Sequence, residues 1–359
     1  MRVTIVGGGN VGTQLAVHSR CKGHEVCIFT SRPEAFQDTL TIVDEKDEVR
    51  LQAVGVVATD SAEVAFAKAE LVFVTVPAFA MPKTAKEMLP YAKPGMKICL
   101  IPGTGGGECA FSEHLKKGAV LFGLQRVPSV ARLLEYGKTV RCSGYRDKLV
   151  VSAIPGSFAT EAGSIIEEIL DMPCDILPSY LAITLTPSNP ILHTTRLYSI
   201  FKDYRPGKVY ENLPLFYEGW DDASSEMLLA CDAEVQEICK HLPQFDLSGV
   251  RSLKEHYESE NAQALTRKIS GIASFRGLKT PSVAVEGGYV PDLQSRYFTA
   301  DFPYGLCILQ QIAAFADIQT PHMDQVMNWY RSIAGSEGEF SYAAHGITNT
   351  EEFVAFYKR

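Results

Sequence analysis

An α/β domain on a doubly wound parallel sheet, followed by an all-α domain, is the fold class this sequence predicts. Three observations predict it. The first residues form a strand–glycine loop–helix–strand unit. Apolar strand-like runs then alternate with helical stretches as far as Pro178. Beyond that point the apolar spacing becomes helical, with no β-rich run and no internal repeat. A chain of 359 residues also exceeds what one core usually organises, so a division into 1–178 and 179–359 is expected.

The opening run MRVTIVGGGNVGTQLAVHSRCKGHEVCIFTSR holds the first unit. Residues 2–6 are a short β-branched strand, residues 10–21 have helical spacing that closes near Gly23, and residues 25–29 read as a second strand. Between the first two lie Gly7, Gly9 and Gly12, a G-x-G-x-x-G that begins directly after the strand. The three glycines serve different mechanical ends, namely a tight turn, close approach of backbone to a pyrophosphate, and close helix–strand packing. The N–H groups that open the helix, around Asn10 and Val11, and its positive dipole end then face the phosphates. This is the arrangement of a Rossmann dinucleotide site, against the plainer reading of a structural glycine turn.

The end of the second strand reports which dinucleotide. A carboxylate there binds the ribose 2′-hydroxyl in NAD-binding folds. This sequence instead reads Thr30-Ser31-Arg32. Hydroxyls and a guanidinium, with Ser31 and Arg32 as the contacts, suit a 2′-phosphate. NADPH is therefore the expected cofactor, with NADH the alternative; Arg32 could instead stack on the adenine or stand as a solvated loop charge. Further strands are expected over 55–59 and 71–77, at the start of MKICLIPGTGGG, and over 120–124, 138–142 and 149–153. Pro77 ends one of them, and a glycine loop with Thr104 and Gly105 follows another. Ligands of a doubly wound sheet lie beyond the carboxyl ends of its strands, which makes Pro77, Thr104 and Gly105 candidate cofactor contacts. The loop glycines could equally be a connector.

In the second half, residues 222–242 put Met227, Cys231, Val235, Ile238, Cys239 and Leu242 on one helical face. Residues 255–272 read as another long helix. Thr320-Pro321 reads as the N-cap and first position of a helix that ends at Gly335. A dinucleotide domain followed by a helical one places a substrate in the cleft between them.

Composition excludes several classes. A formal net charge of −8 with no block of Lys or Arg argues against nucleic acid. No run approaches the ~18 apolar residues of a membrane span. The nine cysteines include no CxxC pair, and the chain opens directly into a strand, so a reducing cytoplasm is expected, with no metal site.

A site in such a cleft needs an acid–base group and an anion clamp from the helical half. His193 lies in its first segments, within SNPILHTTRLYSIF, and Arg296 and Asp301 lie in SRYFTADFPYGL. The plain readings are a core imidazole, a local Arg296–Asp301 ion pair of little energetic weight, and Asn189 as a turn or helix cap.

The pairing of N-P-x-x-H (Asn189, Pro190, His193) with R-Y-x-x-x-D-x-P-x-G (Arg296, Tyr297, Asp301, Pro303, Gly305), together with IPGTGGG, RVPSVAR and GKTVRCSGYRDKLVVSAIP, resembles the opine dehydrogenases of the octopine/nopaline type over most of the chain. Leu124-Gln125 stands where that family often has Glu-Thr, Ala300 where Glu is common before the Asp, and Thr194 where many members have Pro. These departures bear on substrate identity. The resemblance implies a 6-phosphogluconate-dehydrogenase-like helical domain and reductive condensation of an amino acid with a 2-oxo acid. His193 would be the acid–base group, Asp301 the carboxylate that orients its ring and favours its charged form, and Arg296 the carboxylate clamp, with Gln125 and Asn189 as substrate contacts. The residue types suit that chemistry: loss of water from a carbinolamine needs a proton donor active near neutral pH. The partners are then small molecules, with a homodimer left open. Two rivals remain. A ketopantoate-reductase-like or 2-hydroxyacid NADP dehydrogenase would ordinarily use a lysine, and none stands convincingly at the start of the helical half. An NADP-binding sensor without turnover would need neither His193 nor the clamp.

Overall fold

A computed structural model describes residues 1–187 and 189–359. They form two compact units, Met1–Thr184 with Val354–Arg359, and Leu185–Phe353.

Unit 1 begins with β1 (Arg2–Val6), α1 (Asn10–Cys21), β2 (Glu25–Phe29), β3 (Thr39–Val43), β4 (Val49–Val54), β5 (Val57–Thr59), α2 (Ala62–Phe66), β6 (Leu71–Val74) and α3 (Met81–Met88). It continues with β7 (Lys97–Leu100), α4 (Gly107–Ala110), α5 (Ser112–Lys116), β8 (Val120–Leu124), β9 (Val130–Glu135), β10 (Thr139–Ser143), β11 (Leu149–Ile154), α6 (Ala159–Leu170), β12 (Cys174–Ile176) and α7 (Leu181–Thr184). The main sheet has the order β12-β11-β8-β7-β6-β1-β2-β5. Every neighbouring pair in it is parallel except β8–β11. From β1 the chain steps to β2 on one side and later to β6 on the other, so the order reverses there. β6 is buried along its whole length, as expected of a parallel strand covered on both faces. Leu15, Ile28, Phe73, Phe122 and Ile166 lie in the core that packs this sheet against its helices.

A second, four-stranded sheet, β4-β3-β10-β9, is an addition to the expected plan. The strand expected over 138–142 belongs to it rather than to the main sheet. β4 and β9 were not legible because most of their residues are exposed or half-buried, which breaks the apolar alternation. The sheet is tied to α1: Asn10 Oδ1 accepts from the Leu133 N–H at 2.8 Å, Ser129 Oγ donates to Gln14 Oε1 at 3.1 Å, and Arg20 Nε donates to the Val54 carbonyl at 2.8 Å.

Unit 2 contains α8 (Asn189–Phe201), α9 (Asp222–Lys240), α10 (Leu253–His256), α11 (Ala262–Ser270), β13 (Ser282–Val285), β14 (Gly288–Pro291), α12 (Arg296–Thr299), α13 (Cys307–Phe315) and α14 (Pro321–Ala334). The last helix, α15 (Thr350–Tyr357), begins in unit 2 and ends in unit 1. Three details differ from the sequence expectation. The long helix over 255–272 is two helices. Ser252 and Glu255 form a capping box on α10, Glu258 turns the chain at φ 51°, and Asn261 Oδ1 caps α11 through the Ala264 N–H at 2.9 Å. The helical unit also carries a hairpin, β13–β14, turned by Gly287 and Gly288. A Cβ on Gly288 would lie 2.2 Å from the Tyr210 carbonyl oxygen. Finally, Thr320 precedes α14, but its hydroxyl does not cap it. The Glu234 carboxylate of α9 does, accepting from the N–H groups of His322 at 2.7 Å and Met323 at 3.0 Å. Among the described residues no helix is long and apolar enough to cross a membrane.

Candidate active site

The residues expected to hold a dinucleotide follow the carboxyl ends of four adjacent strands, β7, β6, β1 and β2, in unit 1. After β1, Gly7 adopts φ 101° and donates its N–H to the Phe29 carbonyl at 3.0 Å. A Cβ on Gly12 would stand 1.8 Å from the Gly7 oxygen, whereas Gly9 has open space around it. One glycine thus lets α1 pack against the turn, and another leaves the backbone bare for a ligand. Gly9 precedes α1 with no side-chain cap and no acid in the first turn, so the N–H groups at Asn10 to Gly12 face outward with the positive end of the helix dipole. The Asn10 side chain itself is engaged by the Leu133 N–H, away from the opening of α1. These features fit a pyrophosphate.

Thr75, just after β6, braces the turn, its hydroxyl donating to the Val6 carbonyl at 2.9 Å. Half-buried Pro77 follows. Beyond β7, Gly105 and Gly106 are both left-handed, at φ 91° and 70°, and a Cβ on Gly107 would meet Met81 Sδ at 2.1 Å. The glycine loop carrying Thr104 and Gly105 is therefore a built turn. It leads into Glu108, a fully buried carboxyl that accepts from the Thr184 hydroxyl at 2.6 Å and the Tyr357 phenol at 2.7 Å. Burial pushes that carboxyl above its ordinary range. Gln125 stands past the end of β8, on the same edge, its N–H on the Val150 carbonyl at 2.9 Å. After β2, Ser31 and Arg32 are exposed, and no described carboxylate pairs with Arg32.

In unit 2 the two sequence motifs meet. His193 Nδ1 lies 2.8 Å from Asp301 Oδ2, across 108 residues of chain. An ionised carboxylate only accepts, so Nδ1 carries the hydrogen and Nε2 is the nitrogen turned away from Asp301. Asp301 is seated by its neighbours: Phe302 stacks on Tyr330 at 4.2 Å, and a π-helical turn, Phe302–Leu306, brings the Leu306 N–H to the Asp301 carbonyl at 2.8 Å. A Cβ on Gly305 would be 2.8 Å from Pro190 Cβ, so the glycine of one motif admits the proline of the other. Asp301 thus stands against His193, as the sequence reading expected, and the alternative local Arg296–Asp301 ion pair does not form. Arg296 opens α12, exposed, and no described residue forms an ion pair with it. Asn189 is the exposed first residue of α8, one turn before His193. Thr194 donates its hydroxyl to the Pro190 carbonyl at 2.5 Å.

Three more residues complete this cluster: Tyr297, which the sequence motif contained without a role, and Tyr217 and Arg196, which no motif pointed to. The Tyr217 phenol is 2.8 Å from His193 Nε2, and the Tyr297 ring packs 4.4 Å from the imidazole. Burial, with Tyr297, Tyr257 and Asp301 nearby, pushes the Tyr217 phenol well above its usual range, so it stays protonated. Arg196, fully buried, donates to the Phe216 carbonyl at 3.0 Å, to Ser224 Oγ at 2.9 Å, to Asp221 Oδ2 at 3.2 Å and to the Gly219 carbonyl. It thereby clamps the loop that presents Tyr217. The one available signal was spacing: Arg196 follows His193 by three residues on the same helix, and a guanidinium on an apolar face needs partners.

The family described as NAD/NADP octopine/nopaline dehydrogenase, alpha-helical domain, matches residues 176–334. The N-terminal domain of NAD-dependent glycerol-3-phosphate dehydrogenase matches residues 2–105. Octopine dehydrogenase of Pecten maximus is 29% identical over 364 residues, covering 94% of this chain and 91% of that protein. Tauropine dehydrogenase of Arabella iricolor is 27% identical over 365 residues, covering 93% and 92%. The solved structure of octopine dehydrogenase with NADH and L-arginine superposes with a TM-score of 0.87 at 25% identity, over 100% of this chain and 99% of that one.

Proposed function

We infer that this chain, which belongs to the opine dehydrogenase family, is a nicotinamide-dinucleotide oxidoreductase that condenses the amine of an amino acid with a 2-oxo acid and reduces the imine to a secondary amine dicarboxylate. The observation that carries this reading is the His193–Asp301 pair with a guanidinium at Arg296 that no described carboxylate engages. The cofactor is assigned to residues 1–178 and the acid–base chemistry to 179–359.

The reduced nicotinamide supplies hydride when bound. The remaining work falls to side chains. Arg296 takes a substrate carboxylate as a planar fork. His193, in its charged form, gives the Nε2 proton to the carbinolamine oxygen; water departs as the carbon–nitrogen double bond forms, and Nδ1–H stays on Asp301. Asp301 fixes the tautomer and stabilises the imidazolium without itself changing protonation. Tyr217 marks the atom at which the proton is exchanged. Gln125 is assigned to the substrate carbonyl or carboxylate, and Asn189, one turn from His193, to a second polar contact. NADPH is the preferred reductant on this reading, supported by Arg32, which no described carboxylate engages, and by the absence of an acid among Thr30, Ser31 and Arg32.

The test is a screen of NADPH and NADH oxidation with amino acids against pyruvate, 2-oxoglutarate, glyoxylate and oxaloacetate. At least one pair should exceed both single components. Oxidation that needs only the oxo acid would return the protein to the hydroxyacid dehydrogenases.

A further inference from the structure

Tyr136 lies at the turn between β9 and β10, in the second sheet of unit 1, yet it meets the end of β2. Its hydroxyl is hydrogen-bonded to Thr30 Oγ1 at 2.9 Å. The Arg32 guanidinium carbon lies 3.9 Å over its ring centroid. Phe36 packs edge-on against the same ring at 5.3 Å. The placement is built into the backbone: Gly137 holds φ 72°, a Cβ there would stand 2.1 Å from the Ala35 oxygen, and Gln37 donates its N–H to the Gly137 carbonyl at 2.9 Å. A Cβ on Gly8, in the phosphate turn, would meet Phe36 Cζ at 2.5 Å and the Tyr136 hydroxyl at 3.0 Å. The tyrosine therefore reaches the region between the glycine turn and the end of β2, where the adenosine ribose of a dinucleotide fold lies.

We propose that Tyr136 is a cofactor-specificity residue, holding the Arg32 guanidinium flat against its ring for the 2′-phosphate of NADPH while its hydroxyl and that of Thr30 replace the carboxylate of NAD-preferring folds. A guanidinium stacked by one face keeps its N–H edges outward, which is the geometry a phosphate accepts. Stacking orders the side chain before the ligand arrives, so less side-chain freedom is lost on binding. The neighbouring acid does not oppose this, because Glu135 is paired with Lys138 at 2.9 Å. The proposal rests on the dinucleotide reading of unit 1 and is independent of the opine reaction.

The test is equilibrium titration of the full-length chain with NADPH and with NADH, followed by nucleotide fluorescence without substrates. Wild type should bind NADPH at least ~10-fold more tightly, since a charge-assisted contact is at stake. Tyr136→Ala should weaken NADPH by roughly 3–10-fold with little change for NADH, and Tyr136→Phe, which keeps the ring, should lose less. Tyr136→Leu offers bulk without a π face and serves if the alanine variant melts early; it should behave as alanine does. In an Arg32→Ala background, Tyr136→Leu should have no further effect on NADPH. No NADPH preference in wild type, equal losses for both nucleotides, or full additivity with Arg32→Ala would each overturn the proposal. A failed substrate screen with these titrations as expected would reject the opine reading and leave this one standing.

Discussion

The edge of unit 1 proposed to hold the nucleotide and the cluster of unit 2 proposed for acid–base chemistry are built from different materials. The first is mostly backbone: turns at Gly7 and Gly105, a bare approach at Gly9 and helix N–H groups after it. The second is side chain throughout: an imidazole, a carboxylate and a phenol from three separate segments, with a buried guanidinium beneath. A backbone site tolerates almost any side chain except at the glycines and depends on a few consecutive residues. A side-chain cluster depends on distant segments arriving within a hydrogen bond of one another, so it fails piece by piece.

The strongest way to break the contrast is His193→Ala. Turnover on the active substrate pair should fall by roughly 10²–10⁴-fold while NADPH titrates as in wild type; near-normal turnover would remove His193 from the mechanism. The converse is Gly12→Ala, whose new methyl would collide with the Gly7 oxygen. Nucleotide binding should be lost and the unfolding free energy should fall by about 3 kcal/mol or more, read from titration and urea melts. If the variant binds normally, the glycine turn is not the phosphate site.

A smaller effect separates the units by pH. His114 in unit 1 is buried with no described partner for either ring nitrogen, and burial, helped by Lys117, pulls its pKa down to about 4. The unfolded chain then binds the proton first as pH falls. The neutral imidazole's contribution is intact above 6.5 and drains between 6.5 and 4, about 2 kcal/mol of it between pH 7 and 5. Asp232 in unit 2 runs the other way. Burial raises its pKa to about 6, so its contribution is full below 3.8 and is lost as pH rises through 6. Unfolding of His114→Leu and Asp232→Asn across pH 4–7 should remove slopes of opposite sign; slopes of the same sign would refute the assignment. Smallest is Tyr217→Phe, which deletes the phenol's hydrogen bonds to Nε2 and to Tyr297 and should cost about 1–2 kcal/mol of stability. A loss in kcat as large as that of His193→Ala would instead make the phenol a full partner in proton transfer.

Legibility followed the same division. The βαβ unit was readable because its strand, glycines and helix are contiguous and each obeys a local rule. The second sheet was not, since β4 and β9 are mostly uncovered and carry no alternation. The helix expected over 255–272 broke because Glu258 and Asn261 each accept a local conformation that no apolar spacing reports. In unit 2, His193, Arg296 and Asp301 could be named from their motifs, and the resemblance already paired Asp301 with His193, leaving a local Arg296–Asp301 ion pair as the alternative that does not form. Tyr217 and Tyr136 lay in stretches with no motif at all.

The amino-acid sequence by itself determined the order of a dinucleotide unit and a helical unit, the glycine turn and the identity of the ionisable groups, because these depend on neighbours within a few residues. Only the tertiary structure showed the 2.8 Å contact between His193 and Asp301 that the resemblance had implied, and only it decided that Tyr217 caps the imidazole and that Arg32 lies on Tyr136. Those contacts join residues far apart in the chain, and they form only once packing has removed the other places each side chain could go.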